Sequence, residues 1–354
     1  MKKHKVVILT NERPNDDYLW KAACEKRKEE LDYVSVDLTS SQWLEEISAV
    51  KYDYLLVKPS CQTNPFKQLF DERLGVLVNE LGYKSFPTYN EVMIYENKRY
   101  FSFWLKAHKL PHPQTEVFYL KNEALDYIKK VHYPLVGKLN IGASGHGIDI
   151  LNSVDEATSY LNKMFGSGKT SRTGPQLGKG KLVKRAINKL LHPSEALNRL
   201  KIYKSIAGDV QKGYVILQEF IPHEYEWRVV RIGGSFFAHK KLKKKEKASG
   251  TLLKGYENPP KELLSFVKRI TDKFGFYSQA VDVFEPEPGK FLINEMQCIF
   301  GQSDPYQMLV DGKPGRYIHQ ENKWKFEEGD FCTNQCFDLR LDYVINRLKK
   351  NKSK

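Results

Sequence analysis

The chain has 354 residues, a formal net charge of +14 and 41% hydrophobic residues. This composition supplies a packed core and excludes an intrinsically disordered chain. Because no apolar run approaches the roughly 20 residues needed to cross a bilayer, we expect no membrane insertion. Five scattered cysteines favour reduced thiols, and the N-terminus lacks a signal-peptide cleavage site. The sequence therefore predicts a cytoplasmic protein.

The first part of the chain alternates strand and helix patterns. Residues 5–11, 33–39 and 52–59 are apolar strand-like runs, and a charged helical stretch lies between the first two. Strand–helix–strand alternation with short connections predicts a small parallel α/β domain over residues 1–90. An aromatic-rich helix is predicted over residues 97–109, where two following prolines end it.

The middle part, residues 91–220, contains the most unusual local composition. Strand patterns at residues 132–139 and 147–151 flank a glycine-rich loop, and a helix is predicted over residues 152–165. The stretch 163–212 carries twelve lysines and arginines against one glutamate and one aspartate. We expect this basic insert to contain a loop followed by a helix near residues 194–207.

The last part, residues 221–354, is rich in strand patterns. Five strand-like runs extend from YVILQEFI to KFLINEMQ, starting just before this part. A helix is predicted over residues 259–275, with proline in its first turn and glycine at its end. A second helix is predicted at the C-terminus, and the tail 302–317 is expected to shape an acceptor pocket.

The glycine-rich loop follows a lysine, Lys138, embedded in an apolar strand. Glycine costs backbone entropy, so a cluster of glycines needs a physical cause. One cause is a tight turn; another is close approach of backbone N–H groups to phosphate oxygens, which a Cβ would obstruct. Because strands flank the loop on both sides, it is predicted to form a hairpin that covers a nucleotide. The tight turn remains the alternative.

These motifs, taken in order, resemble the ATP-grasp superfamily, and most closely the ribosomal-protein glutamate ligases and related carboxylate–amine ligases. The resemblance covers about residues 85 to 300. It implies an α/β (α+β) protein with a Rossmann-like N-terminal domain, a small central lid domain and a C-terminal antiparallel-sheet domain. It also implies ATP as the nucleotide, with two lysines from separate segments approaching its phosphates.

The resemblance assigns nucleotide-binding roles to several positions. One group contacts the phosphates, a linker strand pairs with and sandwiches the adenine, and an acidic residue holds the ribose or positions the site. The phosphate group comprises Lys98, Lys138, Gly142, Ser144, Gly145, His146 and Gly147. The linker comprises Gln218, Glu219, Phe220 and Ile221, and the acidic residue is Glu226.

The resemblance also implies a metal site and two catalytic cations. Asp282, Glu295 and Gln297 supply hard oxygen ligands of the kind that Mg²⁺ prefers, with Mn²⁺ as an alternative. Burying two carboxylates inside apolar strands costs folding free energy unless a cation lies beside them. The family usually has asparagine where Gln297 stands, and strand alternation predicts that Asn294 faces the other way. The resemblance assigns Arg228 to the phosphate or the reacting carboxylate, and Lys240 to the γ-phosphate or the acylphosphate.

The implied activity is ATP-dependent amide formation: a substrate carboxylate becomes an acylphosphate, which an amine then attacks. The partners are therefore ATP, an amine and an acidic substrate such as a surface glycan, peptide or amino acid. The basic insert suits an acidic substrate, and a solvated lid or an oligomer contact is the alternative. Few aromatics accompany the insert, so nucleic acid is not favoured. A kinase acting on a polyanionic alcohol and a synapsin-like ATP-binding protein without catalysis remain alternatives, and a homodimer is left open.

Overall fold

The computed structural model describes residues 3–142, 147–171, 204–244, 247–248 and 253–352. Two compact units are present. The large unit comprises Met1–Pro59, Leu69–Gln114 and Ile221–Lys354, and the small unit comprises Ser60–Gln68 and Thr115–Phe220. The three-domain division expected from the sequence stays a prediction beside this two-unit partition.

The N-terminal part of the large unit contains a four-stranded parallel sheet in the order β2-β1-β3-β4. Its first strand buries four consecutive apolar residues, Val6 to Leu9, which is typical of a parallel strand covered on both faces. The predicted α/β arrangement is therefore confirmed. The strands are β1 (His4–Thr10), β2 (Leu31–Asp37), β3 (Tyr54–Val57) and β4 (Ser85–Phe86).

Helices connect these strands and lead out of the sheet. The aromatic-rich helix predicted at residues 97–109 is present, and the Asn97 side chain caps it by accepting from the backbone N–H of Tyr100. The helices are α1 (Tyr18–Glu25), α2 (Trp43–Ser48), α3 (Asn64–Gly75), a π-helical turn (Val76–Glu80), α4 (Tyr89–Ile94) and α5 (Lys98–Ala107).

The small unit contains a four-stranded antiparallel sheet in the order β5-β8-β6-β7. Two helices pack on it around a core that includes Leu135, Leu161 and Leu217. The Ser153 hydroxyl caps the second helix by accepting from the backbone N–H of Glu156. The elements are β5 (Thr115–Phe118), α6 (Lys121–Ile128), β6 (Leu135–Lys138), β7 (Ile148–Leu151), α7 (Val154–Phe165) and β8 (Val215–Glu219).

The C-terminal part of the large unit is built on a nine-stranded antiparallel sheet, as the resemblance implies. The main path runs β14-β13-β9-β10-β16-β15, with β11 and β12 paired to β10 and β17 paired to β16. The strands are β9 (Tyr225–Ile232), β10 (Ser235–Lys244), β11 (Lys247–Ala248), β12 (Lys254–Gly255), β13 (Ser278–Glu287), β14 (Lys290–Gln297), β15 (Leu309–Val310), β16 (Lys313–Gln320) and β17 (Lys323–Glu328).

Two predicted helices complete this part, α8 (Lys261–Phe274) and α9 (Phe337–Lys352), with a short 3₁₀ turn before the second at Thr333–Cys336. Gly275 ends α8 in the left-handed conformation, with φ of 66°. The helix predicted near residues 194–207 lies mostly outside the described residues, although residues 204–208 are helical.

The hairpin of β16 and β17 was not predicted. Its two-residue turn is formed by Glu321 and Asn322, both with positive φ, which is the geometry of tight hairpin turns. All five cysteines are free. None of the helices in the described part of the chain has the length and apolar character needed to span a membrane.

Candidate functional site

A row of polar side chains crosses the middle of the large sheet. Asp282 of β13 lies opposite Glu295 of β14 on one side and opposite Arg228 of β9 on the other. Arg228 in turn lies opposite His239 of β10. Directly opposed residues on neighbouring strands share one face of a sheet. These four side chains, one from each of four strands, therefore lie on one surface.

A bidentate ion pair forms the centre of this row. Arg228 donates from Nε to Asp282 Oδ1 at 2.7 Å and from an Nη to Asp282 Oδ2 at 2.9 Å. The same guanidinium donates to Gln297 Oε1 at 3.3 Å. Asp282 is 1% exposed. The arrangement fixes the guanidinium plane, which a single contact could not do.

Lys241 is the second cation of the row, and it corrects the prediction for Lys240. The Nζ of Lys241 donates to Glu226 Oε2 and to Asp282 Oδ2, both at 2.7 Å. The Nζ of Lys240 instead bonds Glu257 at 2.5 Å and lies 4.0 Å from the centre of the Tyr225 ring. Because successive strand residues point to opposite faces, only one of the two lysines can face Asp282.

The opposite charges in this cluster keep one another ionised. Burial alone would raise the pKa of Asp282, but the charges of Arg228 and Lys241 outweigh it and hold that pKa well below its ordinary value. Burial lowers the pKa of Lys241, and attraction to Asp282 and Glu226 more than compensates, so that pKa is raised. Asp282 and Lys241 therefore both keep their charges in a buried place.

Lys98, the first residue of α5, approaches the same face from a different direction. Its Nζ lies 3.7 Å from Glu295 Oε1 and 3.6 Å from Glu96 Oε2. Glu96 is buried and has a φ of 47°, an uncommon conformation for a non-glycine residue. Sequence reasoning missed Glu96, since nothing in the local pattern indicates that the backbone turns its side chain inward. The structure brings Lys98 and Glu295 together.

Asn294 faces the cluster, which corrects the prediction that it points the other way. Its Nδ2 donates to Glu226 Oε1 at 3.2 Å. The pairing of β13 with β14 shifts register between Asp282 and Val283, so that Asn294 is an extra residue on β14. A β-bulge of this kind breaks the strict alternation of faces on which the prediction rested.

The oxygen donors of the row fit a divalent metal in their chemistry. Asp282 and Glu295 offer carboxylates and Gln297 a carbonyl oxygen, which are the donors that Mg²⁺ takes. Both oxygens of Asp282 contact cationic side chains, which shows that this carboxylate already attracts positive charge. No group of three or more His, Cys, Asp or Glu side chains arranged to hold a metal occurs within the described ranges.

The small unit carries the other predicted nucleotide-binding residues. Lys138 ends β6 and is 9% exposed, between Ile148 of β7 and Ile216 of β8. Gly147 begins the return strand with a φ of 82°, and its carbonyl accepts from the Leu139 N–H at 2.8 Å. Gly142 is half-buried. Ser144, Gly145 and His146 lie outside the described residues.

A buried hydrogen-bond network holds the backbone at the start of the glycine-rich loop. The Gln211 side chain accepts from the Ile141 N–H at 3.2 Å and donates to the Ile141 carbonyl at 2.9 Å. The Tyr214 hydroxyl contacts the Asn140 N–H at 3.3 Å and Gln211 Oε1 at 2.8 Å. The backbone of Gln211 also pairs with Lys169. The network therefore joins the two ends of the basic insert to the loop; residues 172–203 of that insert are outside the described residues.

The predicted adenine linker comprises the last two residues of β8 and the two residues after it, and β8 is an interior strand between β5 and β6. Gln218 is buried, and its Nε2 donates to the Thr115 hydroxyl at 3.0 Å. Glu219 is the last paired residue and is exposed, and Phe220 follows as a half-buried residue. The Ile221 carbonyl contacts His223 Nδ1 at 2.7 Å. The adenine-binding role of this segment stays a prediction.

Comparison with known proteins identifies the fold. No protein-family model matches the chain. A D-alanine–D-alanine ligase from Bacillus anthracis has a similar structure, with a TM-score of 0.55, 13% identity and coverage of 99% of this chain and 100% of that one. The biotin carboxylase domain of a 2-oxoglutarate carboxylase from Hydrogenobacter thermophilus, crystallised with MgADP and bicarbonate, gives a TM-score of 0.53 at 15% identity and covers 87% of this chain and 66% of that one.

The chain has the ATP-grasp fold, as its sequence predicts. One curated relative, an α-aminoadipate–LysW ligase from Saccharolobus solfataricus, is 32% identical over 85 residues. The match covers 24% of this chain and 31% of the relative's length, so it concerns only part of either protein.

Proposed function

We propose that the protein is an ATP-dependent carboxylate–amine ligase that works through an acylphosphate. The observation that carries the proposal is the row on the large sheet, in which Arg228 and Lys241 share the carboxylate of Asp282. Cations held in a fixed, buried geometry stabilise charge that develops on a phosphoryl group in transfer. The local identity to an α-aminoadipate–LysW ligase supports amide formation as the reaction.

The proposal gives each residue of the row a task. Arg228 contacts the γ-phosphate or the substrate carboxylate, either of which suits a guanidinium, while its Nε and one Nη stay bonded to Asp282. Lys241, rather than Lys240, supplies the second positive charge. Glu226 holds Lys241 in place, and Asn294 in turn donates to Glu226. Glu226 is also the residue proposed to contact the ribose or position the site.

Mg²⁺ is the proposed metal, and Asp282, Glu295 and Gln297 would hold it. When bound, the ion neutralises phosphate charge and acts as a Lewis acid. Glu295 is the more accessible carboxylate, with 26% of its side chain exposed against 1% for Asp282. Lys98 lies beside Glu295 and keeps that carboxylate from being an uncompensated charge. Mn²⁺ as a substitute, a cytoplasmic location and a homodimer belong to the same proposal.

In the small unit, Lys138 and the glycine-rich loop are the proposed phosphate-binding groups. The Gln211 and Tyr214 network fixes the backbone of Asn140 and Ile141, directly after the lysine. A fixed backbone reduces the ordering that phosphate binding would otherwise require. The polyanion-binding role of the basic insert stays a prediction.

A screen of ADP release tests the proposal. Purified protein with Mg²⁺ and ATP is supplied with pairs of one carboxylate and one amine, drawn from amino acids, acidic peptides and uronic acids. A ligase forms ADP in repeated turnovers only when both partners are present, and mass spectrometry detects the matching amide. ADP release with an alcohol and no amine would indicate the kinase, and ATP binding without turnover across the panel would indicate a binding protein.

A further inference from the structure

The ammonium group of Lys241 lies between two buried carboxylates. Its Nζ is 2.7 Å from Asp282 Oδ2 and 2.7 Å from Glu226 Oε2. The exposed fraction of the side chain is 8% for Lys241, 8% for Glu226 and 1% for Asp282. Buried carboxylates are stabilised either by a cationic side chain or by a metal ion between their oxygens. Lys241 therefore lies at a position that a metal ion could also take.

The pairing of three neighbouring strands fixes this position. Lys241 of β10 lies directly opposite Glu226 of β9, and Asp282 of β13 lies directly opposite Arg228 of β9. Glu226 and Arg228 are two residues apart on one strand, so they share a face. Asn294 donates to the other oxygen of Glu226 at 3.2 Å, which holds that carboxylate towards the lysine. The ammonium position is therefore set by the backbone pairing of the sheet.

Cationic side chains use most of the acceptor capacity of Asp282. A carboxylate has about four lone-pair positions, two on each oxygen. Oδ2 accepts from Lys241 Nζ at 2.7 Å and from an Nη of Arg228 at 2.9 Å, which occupies both of its positions. Oδ1 accepts from Arg228 Nε at 2.7 Å and keeps one position among the contacts of the described residues. Asp282 can therefore form one further bond, which is enough for one metal ion.

The other two proposed metal ligands also suit a single ion. Glu295 is the more accessible carboxylate, with 26% of its side chain exposed. The carbonyl oxygen of Gln297 accepts from Arg228 at 3.3 Å, which occupies one of its two lone pairs. The donors left for a metal are therefore Glu295, one oxygen of Asp282 and the Gln297 carbonyl. Mg²⁺ usually takes one or two carboxylates and completes its six ligands with phosphate oxygens and water.

We propose that the Lys241 ammonium group takes the place of a second metal ion, so that the protein binds one Mg²⁺ with its nucleotide. Two-metal sites hold their ions about 3.5–4 Å apart, so a carboxylate between the ions has to bind both of them. Asp282, the carboxylate in that position, already bonds Lys241 and Arg228. The lysine charge is part of the chain and does not leave with the product. The inference rests on the proposed function, because it counts the ions that accompany the nucleotide.

The first experiment removes the lysine and asks whether a metal ion replaces it. Lys241→Ala leaves space for a hydrated ion between Asp282 and Glu226. Thermal unfolding of the full chain is recorded without nucleotide, in millimolar Mg²⁺ and in sodium chloride of equal ionic strength. We expect Mg²⁺ to raise the melting temperature of this variant by about 2 °C or more above its effect on the wild type, since an ion that binds only the folded state stabilises it. Lys240→Ala is the matched control: Lys240 bonds Glu257 on the opposite face, so this variant should respond as the wild type does.

The second experiment counts the bound ions. Mn²⁺, which electron paramagnetic resonance detects, is titrated into the full chain with an equal concentration of AMP-PNP, a non-hydrolysable ATP analogue. We expect one bound Mn²⁺ per chain in the wild type and in Lys240→Ala, and two in Lys241→Ala. The count in the wild type tests the inference even if Lys241→Ala fails to fold.

The outcomes separate this inference from the proposed function. Two bound Mn²⁺ ions in the wild type, or equal responses to Mg²⁺ in Lys241→Ala and Lys240→Ala, would overturn the inference and leave the proposed function standing. Failure of the wild type to bind AMP-PNP, together with a Mg²⁺ response confined to Lys241→Ala, would overturn the proposed function. In that case Lys241 would still be the residue that occupies a metal position.

Discussion

The row on the large sheet and the loop base in the small unit are both buried polar networks, but different forces hold them. In the row, charged side chains form ion pairs: Arg228 and Lys241 contact Asp282 at 2.7–2.9 Å. At the loop base, neutral amide and hydroxyl groups of Gln211 and Tyr214 bond backbone atoms. A charged network exerts an electric field on a ligand, whereas a neutral network holds the backbone that faces the ligand in one conformation.

This difference predicts unequal costs of mutation. Removing one partner of a buried ion pair leaves an uncompensated charge, which is far more costly than an unpaired neutral group. The charged row should therefore lose more stability on mutation than the neutral network.

Asp282→Asn should have the largest effect, because it leaves two buried cations facing a neutral amide. We expect a loss of about 3–5 kcal/mol in the free energy of unfolding. Urea unfolding followed by circular dichroism measures it, and the exposed carboxylate variant Asp311→Asn should stay within about 0.5 kcal/mol of the wild type. A loss below 1 kcal/mol for Asp282→Asn would show that its carboxylate does not balance the cations.

The adjacent lysines provide an internal control, since they lie on opposite faces of one strand. Lys241→Met should cost about 1.5–3 kcal/mol of stability, because it breaks charged hydrogen bonds to two buried carboxylates. Lys240→Met removes a contact to Glu257, whose side chain is 63% exposed, and should cost about 0–1 kcal/mol. Equal costs in urea unfolding, or the reverse order, would contradict the observed register of β10.

Lys138→Ala tests the small unit's proposed phosphate contact. We expect AMP-PNP to bind more weakly by about 1.5–3 kcal/mol, the typical worth of a hydrogen bond to a charged group. Calorimetric titration measures the affinity, and Lys130→Ala, an exposed lysine of the same unit, is the control. An unchanged affinity in Lys138→Ala would mean that the strand lysine does not face phosphate.

Gln211→Leu tests the neutral network. It leaves the N–H and carbonyl of Ile141 without their side-chain partner, so we expect a loss of about 1–3 kcal/mol in stability. Hydrogen exchange of the Ile141 amide should become faster, and AMP-PNP affinity should fall several-fold. If exchange at Ile141 were unchanged, the loop base would be held by something other than Gln211.

The sequence predicted most strands and helices of both units because their periodicity is regular. Parallel strand β1 is a continuous apolar run, and α8 has both a proline start and a glycine end. The hairpin of β16 and β17 was not predicted because Pro314 and Gly315 interrupt the pattern of the first strand. Its turn also uses Glu321 and Asn322 instead of a glycine.

Within the candidate site, residue types were predictable but their facing directions were not. Alternation fixes that Lys240 and Lys241 point apart, yet only the pairing with β9 determines which of them meets Asp282. The bulge at Asn294 adds one residue to β14, which a strict period of two cannot represent. Glu96 depends on a positive φ, for which the sequence carries no signal beyond its neighbours.

The most direct test of the account is calorimetric titration of AMP-PNP with and without Mg²⁺, in the wild type and in Glu295→Gln. Glu295 is chosen because its side chain is partly exposed and because changing it leaves Arg228 paired with Asp282. We expect tight binding in the wild type that depends on Mg²⁺, and a much smaller Mg²⁺ dependence in the variant. Absence of nucleotide binding, or affinity that is the same with and without Mg²⁺ in the wild type, would contradict it.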